Sequence, residues 1–197
     1  MSGIAISALE QTATSLAQNI SLIRDEIAGT VAGIDSKQLA AVTAHIGQAD
    51  RIFVAGAGRS GLVLRMAAMR LMHLGHTVHV AGDTTTPAIS SGDLLLVASG
   101  SGTTSGVVKA AETAAKAGAL VAAFTTNQAS PLAALSDALV IIPAAQKTDH
   151  GSALSRQYSG SLFEQVLFLA TESVFQTLWD STQEPAEQLW LRHANLE

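Results

Sequence analysis

Leu94-Leu95-Leu96-Val97-Ala98-Ser99-Gly100-Ser101-Gly102-Thr103-Thr104 is the stretch that decides the fold. Its first five residues form a continuous apolar run, the pattern of a strand buried on both faces. The run breaks into alternating hydroxyl residues and glycines. Val107, Val108, Ala111 and Ala115 then recur on one face of a helix. The order implied is strand, tight turn, helix start. N–H groups at a helix start have no partner inside the helix, and the helix dipole adds partial positive charge there. Glycines let the backbone approach a ligand closely, and hydroxyls donate further hydrogen bonds. The pattern suits a phosphate cradle, with Ser99, Ser101, Thr103 and Thr104 as its candidate ligands. No Lys follows the last glycine, so the stretch is not a Walker loop. The same residues would also make a plain Ser/Thr-capped helix after a glycine turn, and the stretch alone leaves both readings open.

Upstream, Arg51 to Ala55 reads as the first strand. Gly56-Ala57-Gly58-Arg59-Ser60-Gly61 follows, then a helical pattern from about Leu62 to Leu74 that stops at Gly75. The glycines stand at the first, third and sixth places of a dinucleotide fingerprint, and Asp83 lies near the acidic position roughly 20 residues on. The Arg59-Ser60 pair inside the turn and the second hydroxyl-rich loop at Ser99 argue against a nucleotide. Thr77 to Ala81 is a second strand, followed by the polar loop Gly82-Asp83-Thr84-Thr85-Thr86-Pro87. Downstream, Ala119 to Thr125 and Ala138 to Ile142 are the fourth and fifth strands, with a short helix opening at Ser130-Pro131 between them. Strands separated by helices argue for a parallel sheet covered on both faces. In such sheets ligands sit beyond the carboxyl ends of the strands. The loops at Gly58, Thr84 and Ser99 all lie there.

The flanks are helical. Ile4 to Ile27 has apolar residues at mostly helical spacing and is expected to end at Gly29 and Gly33. Asp35-Ser36-Lys37-Gln38 fits a capping box that opens a second helix through about Ile46. After a long polar loop from Ala144 to Gly160, holding Lys147, Asp149, His150, Arg156 and Tyr158, an apolar helix runs from Ser161 to Trp179. A terminal helix is expected from Glu184 to Leu196. The whole is expected to be one domain over 1–197, with N-terminal helices over 1–48 and a sheet-containing core and C-terminal helices over 49–197.

Of 197 residues, 48% are hydrophobic and 14% charged, which is a globular composition. A net charge of −5 without a basic run argues against a nucleic-acid partner, and none is expected. No Cys is present, so neither a disulfide nor a thiolate mechanism is available. No apolar run is long enough to span a bilayer, and no signal peptide is visible. Cytoplasmic placement is the expectation. His73, His76 and His79 do not share a face, so no metal and no other cofactor is expected. Glu164 stands three residues after Ser161, where it would complete a capping box or serve as a general base on the rim of a ligand site. His193, near the chain end, would by default lie in a solvated tail. Arg59, between glycines in a ligand-facing loop, suits an anion better than a surface ion pair.

These motifs belong together. The sequence resembles the sugar isomerase (SIS) domain family, and within it the hexuloisomerase branch. Carrying the resemblance are Gly56 to Gly61, Ala68-Met69-Arg70-Leu71-Met72-His73-Leu74-Gly75, Gly82 to Ile89, Ser99 to Thr103, Gly160-Ser161-Leu162-Phe163-Glu164-Gln165, and Arg192-His193-Ala194-Asn195-Leu196-Glu197. Tyr158-Ser159 departs from the family's usual Pro-Met. The resemblance implies an α/β, flavodoxin-like, five-stranded parallel sheet flanked by helices. It implies a homo-oligomer, commonly a tetramer, with sites at subunit boundaries. The implied activity converts D-arabino-3-hexulose 6-phosphate to fructose 6-phosphate through a cis-enediol, in formaldehyde fixation by the ribulose monophosphate route. Glu164 matches the family's proposed base. His73 and His193 are candidates for moving protons between the oxygens, His193 from a neighbouring subunit. Arg59 would stabilise developing negative charge, and Ser60 would join the phosphate ligands. The alternatives are another SIS isomerase, acting on arabinose 5-phosphate or a heptulose phosphate, and a non-catalytic sugar-phosphate-binding module.

Overall fold

A computed structural model describes residues 2–145 and 155–196. Helices α1 (Ser2–Ala32) and α2 (Ser36–Gln48) come first. The chain then runs β1 (Ile52–Gly56), α3 (Gly58–His73), β2 (Val78–Val80), β3 (Leu94–Ala98), α4 (Ser105–Lys116), β4 (Leu120–Thr125), α5 (Pro131–Ala134), β5 (Ala138–Ile141), α6 (Ser161–Thr182) and α7 (Ala186–Trp190). The strands form one parallel sheet in the order β2-β1-β3-β4-β5, with Ile52 opposite Leu94 and Leu94 opposite Leu120. This is the expected flavodoxin-like arrangement.

Alternation along the strands divides the apolar residues between two cores. Ile52, Val54, Leu94, Leu96, Phe124 and Val140 pack with residues of α2, α3 and α6. Phe53, Leu95, Val97, Val121 and Ala123 pack with α4 and with Leu132 of α5. The chain leaves β1 for the edge strand β2 and returns to β3 on the other side of β1. Helix α3 therefore covers one face and α4 the other, and the loops after β1 and β3 diverge. That divergence opens a crevice at the carboxyl ends of the two strands, where open α/β sheets bind ligands.

Several boundaries differ from expectation. Helix α1 passes through Gly29 and stops only before Gly33. A glycine inside a helix costs about 1 kcal/mol relative to alanine but does not break it. At Gly33 a Cβ would come within 2.9 Å of the Pro143 ring, so the chain turns there against the sheet end. The capping box of α2 is half made: the Asp35 carboxylate accepts from the Lys37 N–H, but the Gln38 side chain accepts from Ile141 N at 2.8 Å and ties α2 to β5. Helix α3 starts at Gly58, so Arg59, Ser60 and Gly61 form its first turn. A Cβ on Gly56 would sit 2.9 Å from Gly61, and one on Gly61 would sit 2.5 Å from the Gly56 carbonyl oxygen. Only glycines allow helix and strand to join so tightly, and the glycine pattern read in the sequence is this joint. The terminal helix α7 is short, ending at Trp190.

Candidate active site

The Ser99–Thr104 turn is wired internally. Ser99 is buried; its N–H donates to the Phe124 carbonyl, and its hydroxyl accepts from Gly102 N at 3.2 Å and pairs with the Thr104 hydroxyl at 2.9 Å. The Ser101 hydroxyl accepts from Thr103 through both N–H and hydroxyl, at 3.2 and 2.9 Å. Thr104 is the N-cap residue of α4, but its side chain makes no capping bond. The plain capped-helix reading therefore does not hold, because the Thr104 hydroxyl is committed to Ser99. The Val107 and Val108 N–H groups donate to the Thr104 carbonyl, while those of Ser105 and Gly106, ahead of them, have no acceptor one turn back within the helix. The Gly100 carbonyl accepts from Thr125 and Thr126, and Gly102 (φ +67°) sits where a Cβ would strike the Ser130 side chain. The turn is thus clamped from β4 and α5.

Opposite it, α6 begins. Phe163 lies against Gly100, where a Cβ would come 3.5 Å from the ring. The next residue is Glu164, 4% exposed, whose Oε2 is 2.9 Å from Arg59 Nε. A second guanidinium nitrogen of Arg59 donates to the Ser161 hydroxyl at 3.0 Å. The expected capping box at Ser161 is absent: the N-cap residue is Gly160, left-handed at φ 87°, and makes no side-chain capping bond. The Glu164 carboxylate faces the cation of α3. Arg59 itself is 57% exposed, so the pair combines a buried carboxylate with a solvent-facing cation. Such a corner can accept a proton at carbon and place positive charge beside a developing oxyanion.

The remaining expected residues separate into two groups. Gly58, at φ +57° with open space around its missing Cβ, and buried Ser60 stand at the β1–α3 joint beside the crevice. Thr84 is exposed in the turn after edge strand β2, one strand removed from the crevice. Asp83 pairs with Arg65 of α3. His73 lies at the far end of α3, fourteen residues from Arg59, which at 1.5 Å per residue is about 21 Å. His193 of the same chain stacks on it, with ring centroids 3.9 Å apart, and Trp190 packs on His193. Arg192 donates to the His73 carbonyl and pairs with Glu184. The C-terminal segment is therefore docked, which corrects the solvated-tail expectation. Burial first, then the neighbouring His193 and Arg70 charges, pushes the His73 imidazole below its ordinary value and keeps it neutral at pH 7. Within one chain the two histidines do not reach Glu164.

Lys147, Asp149 and His150 lie outside the described residues. Tyr158 is 88% exposed, and the Arg156 N–H donates to Glu26. Glu26, on α1, carries no local sequence signal, because its partners lie 129 residues and more away. Among the described residues no group of three or more His, Cys, Asp or Glu could hold a metal ion, and no helix is long and apolar enough to cross a membrane.

Residues 45–169 match the SIS domain family. The chain is 72% identical over 190 residues to the 3-hexulose-6-phosphate isomerase of Mycobacterium gastri, covering 96% of each. A Methanococcus jannaschii protein, whose crystal structure was described as inferring a molecular function of 3-hexulose-6-phosphate isomerase, superposes with a TM-score of 0.78 at 26% identity. That likeness covers 91% of this chain and 99% of the other. The Vibrio vulnificus NanR protein complexed with ManNAc-6P superposes with a TM-score of 0.74 at 27% identity, covering 94% of this chain and 70% of that one.

Proposed function

This chain belongs to the SIS domain family, and from that premise we propose that it isomerises D-arabino-3-hexulose 6-phosphate to fructose 6-phosphate, in formaldehyde fixation by the ribulose monophosphate route. The observation that carries the reading is the buried Glu164 carboxylate held by Arg59 across the crevice from the Ser99–Thr104 turn. The 72% identity to a protein named for this reaction supports the choice of substrate.

The reaction moves a carbonyl from C3 to C2. Glu164 removes the C2 proton, electrons shift to O3, and a cis-enediol forms across C2 and C3. The same carboxylate returns its proton to C3 as the O2 proton leaves and C2 becomes the carbonyl. One base on one face suffices. Arg59 offsets negative charge on the enediolate oxygens. Ser99, Ser101, Thr103 and Thr104, with Gly58 and Ser60 at the β1–α3 joint, bind the phosphate and the adjoining sugar, and Thr84 reaches the substrate from the turn after β2. His73, neutral with one donor and one acceptor nitrogen, suits proton exchange between O2 and O3. In this reading it and His193 serve the site of a neighbouring subunit, which their distance from Glu164 in their own chain supports.

That requires a homo-oligomer, with a tetramer as our reading and sites at subunit boundaries. Support comes from α1, where Leu9, Leu16 and Ile20 are more than half exposed, and where Ile23, Ile27 and Val31 line an apolar groove with Leu169 of α6. The whole chain acts as one SIS unit in the cytoplasm. The test is a coupled assay with 3-hexulose 6-phosphate beside arabinose 5-phosphate and a heptulose phosphate. Turnover of the first alone is expected; preference for another would reassign the substrate. The NanR likeness favours a second reading, a sugar-phosphate sensor, which binding without turnover would select.

A further inference from the structure

Helix α6 has no cap of its own, yet its first turn must hold the Glu164–Arg59 pair in register. The chain just before it is pinned from elsewhere. One Glu26 oxygen, Oε2, accepts from the Ser155 hydroxyl at 2.7 Å and from Gln157 Nε2 at 3.0 Å; the other, Oε1, accepts from Arg156 N at 2.8 Å. Gln157 N donates back to the Ser155 hydroxyl at 3.0 Å. Gln157 Oε1 accepts from Gln165 Nε2 at 2.9 Å, one residue past Glu164.

The polarity of this chain of bonds is dictated at its start. An ionised carboxylate only accepts, so Gln157 must turn its NH₂ toward Glu26 and its oxygen toward Gln165. Gln165 must then present its own NH₂. We infer that Glu26 is a positioning residue for the reaction: its carboxylate fixes residues 155–160 and, through Gln157 and Gln165, holds the first turn of α6 so that Glu164 meets Arg59. The catalytic part of this inference rests on the function proposed above; the anchoring part rests on geometry alone. The hydrogen bonds keep the Glu26 carboxyl below its ordinary range, although burial, the largest single influence, acts the other way.

Glu26→Gln tests it in the full-length protein, because glutamine keeps the shape but turns an NH₂ toward groups that themselves donate. Asp25→Asn is the control. It removes the same charge one residue away, where the exposed carboxylate pairs with exposed Arg24. Gln157→Ala cuts the relay without touching α1. The expected result for Glu26→Gln is a loss in kcat of roughly tenfold or more, with KM for 3-hexulose 6-phosphate within about twofold of wild type. Amide hydrogen exchange should quicken over residues 160–165, the melting temperature should change little, and Asp25→Asn should be silent. Adding Gln157→Ala to Glu26→Gln should cost little more, since both break one relay. Wild-type kcat in Glu26→Gln overturns the inference, whatever exchange shows. So does a kcat loss shared by Asp25→Asn, or additive effects in the double variant. If the wild-type protein turns over nothing, the assigned reaction fails, and the exchange measurement by itself still decides whether Glu26 holds this corner.

Discussion

The Ser99–Thr104 turn and the first turn of α6 face one another across the crevice and are built in opposite ways. The side-chain bonds of the Ser99 turn to its own atoms, Ser99 to Thr104 and Gly102 and Ser101 to Thr103, all fall within five residues. Thr125 of neighbouring β4 and the next residue, Thr126, add hydroxyl bonds to the Gly100 carbonyl. The α6 corner is held by side chains far off in sequence, Arg59 across 102 residues and Glu26 across 129. A locally wired turn comes ready-made with its strand and helix. A corner wired at a distance exists only once the whole fold has closed. Under the proposed function, holding the anion falls to local structure and the proton transfer to tertiary structure.

The sharpest break in that comparison is Glu164→Gln. The corner would keep its shape but lose its base, so kcat should fall by a factor on the order of 10²–10⁴ while binding of fructose 6-phosphate changes little. Ser161 is not the N-cap residue of α6, so a Ser161–Glu164 capping box does not account for this glutamate. Wild-type kcat in this variant would return Glu164 to a structural role and move the search for a base to His73 and His193.

Breaking the other side, Ser99→Ala combined with Thr103→Ala should raise KM about ten- to a hundredfold, the cost of losing one or two hydrogen bonds to a charged group. Steady-state kinetics checks this, with circular dichroism to verify the fold. Unchanged KM in folded protein would put the phosphate elsewhere.

Gly102→Ala comes next. It asks a residue with a Cβ to adopt φ +67° against Ser130, and should lower stability by about 1–3 kcal/mol in denaturant melts. Gly58→Ala, at φ +57° with open space around the missing Cβ, is strained in φ alone, so it should cost less. An equal loss at both would mean that clamping by Ser130 contributes nothing.

The smallest effect separates the regions by acid. The folded Glu26 carboxyl is lowered from 4.5 by the bonds from Arg156, Ser155 and Gln157 and by the Arg156 charge, against burial. Its contribution is therefore fully present above about pH 4.5 and is lost as pH falls through the lowered value. The bonds that close the Ser99 turn come from hydroxyls and backbone and do not titrate there. Hydrogen exchange on acidification should quicken over 155–165 before it does over 99–104. The reverse order would contradict the wiring described.

The same contrast explains what could be read from the sequence. Apolar runs at Leu94 and Val121, glycines at strand ends and hydroxyls at Ser99 are local signals, and the sheet and the tight strand-to-helix turn follow from them. Glu164 was visible as a residue but ambiguous, because a Ser161–Glu164 capping box and a buried base have identical spacing. Only Arg59, brought over by α3, distinguishes them. Glu26 gave no signal, since one glutamate on an exposed helix looks like any other. The docking of His193 on His73 was likewise hidden, because a tail near a chain end has no periodicity to betray its partner.

Helix α3 carries Arg59 in its first turn and His73 in its last. Adding or deleting a single residue between them would rotate one end by about 100° and shift it by about 1.5 Å. Both the ion pair with Glu164 and the stack with His193 could not survive that together. Along this segment, descent with modification is therefore free to change letters on the solvent side, where Leu62, Met66 and Met69 are exposed, but not the count. The stretch from Arg59 to His73 should be a place where lineages differ in composition and never in length.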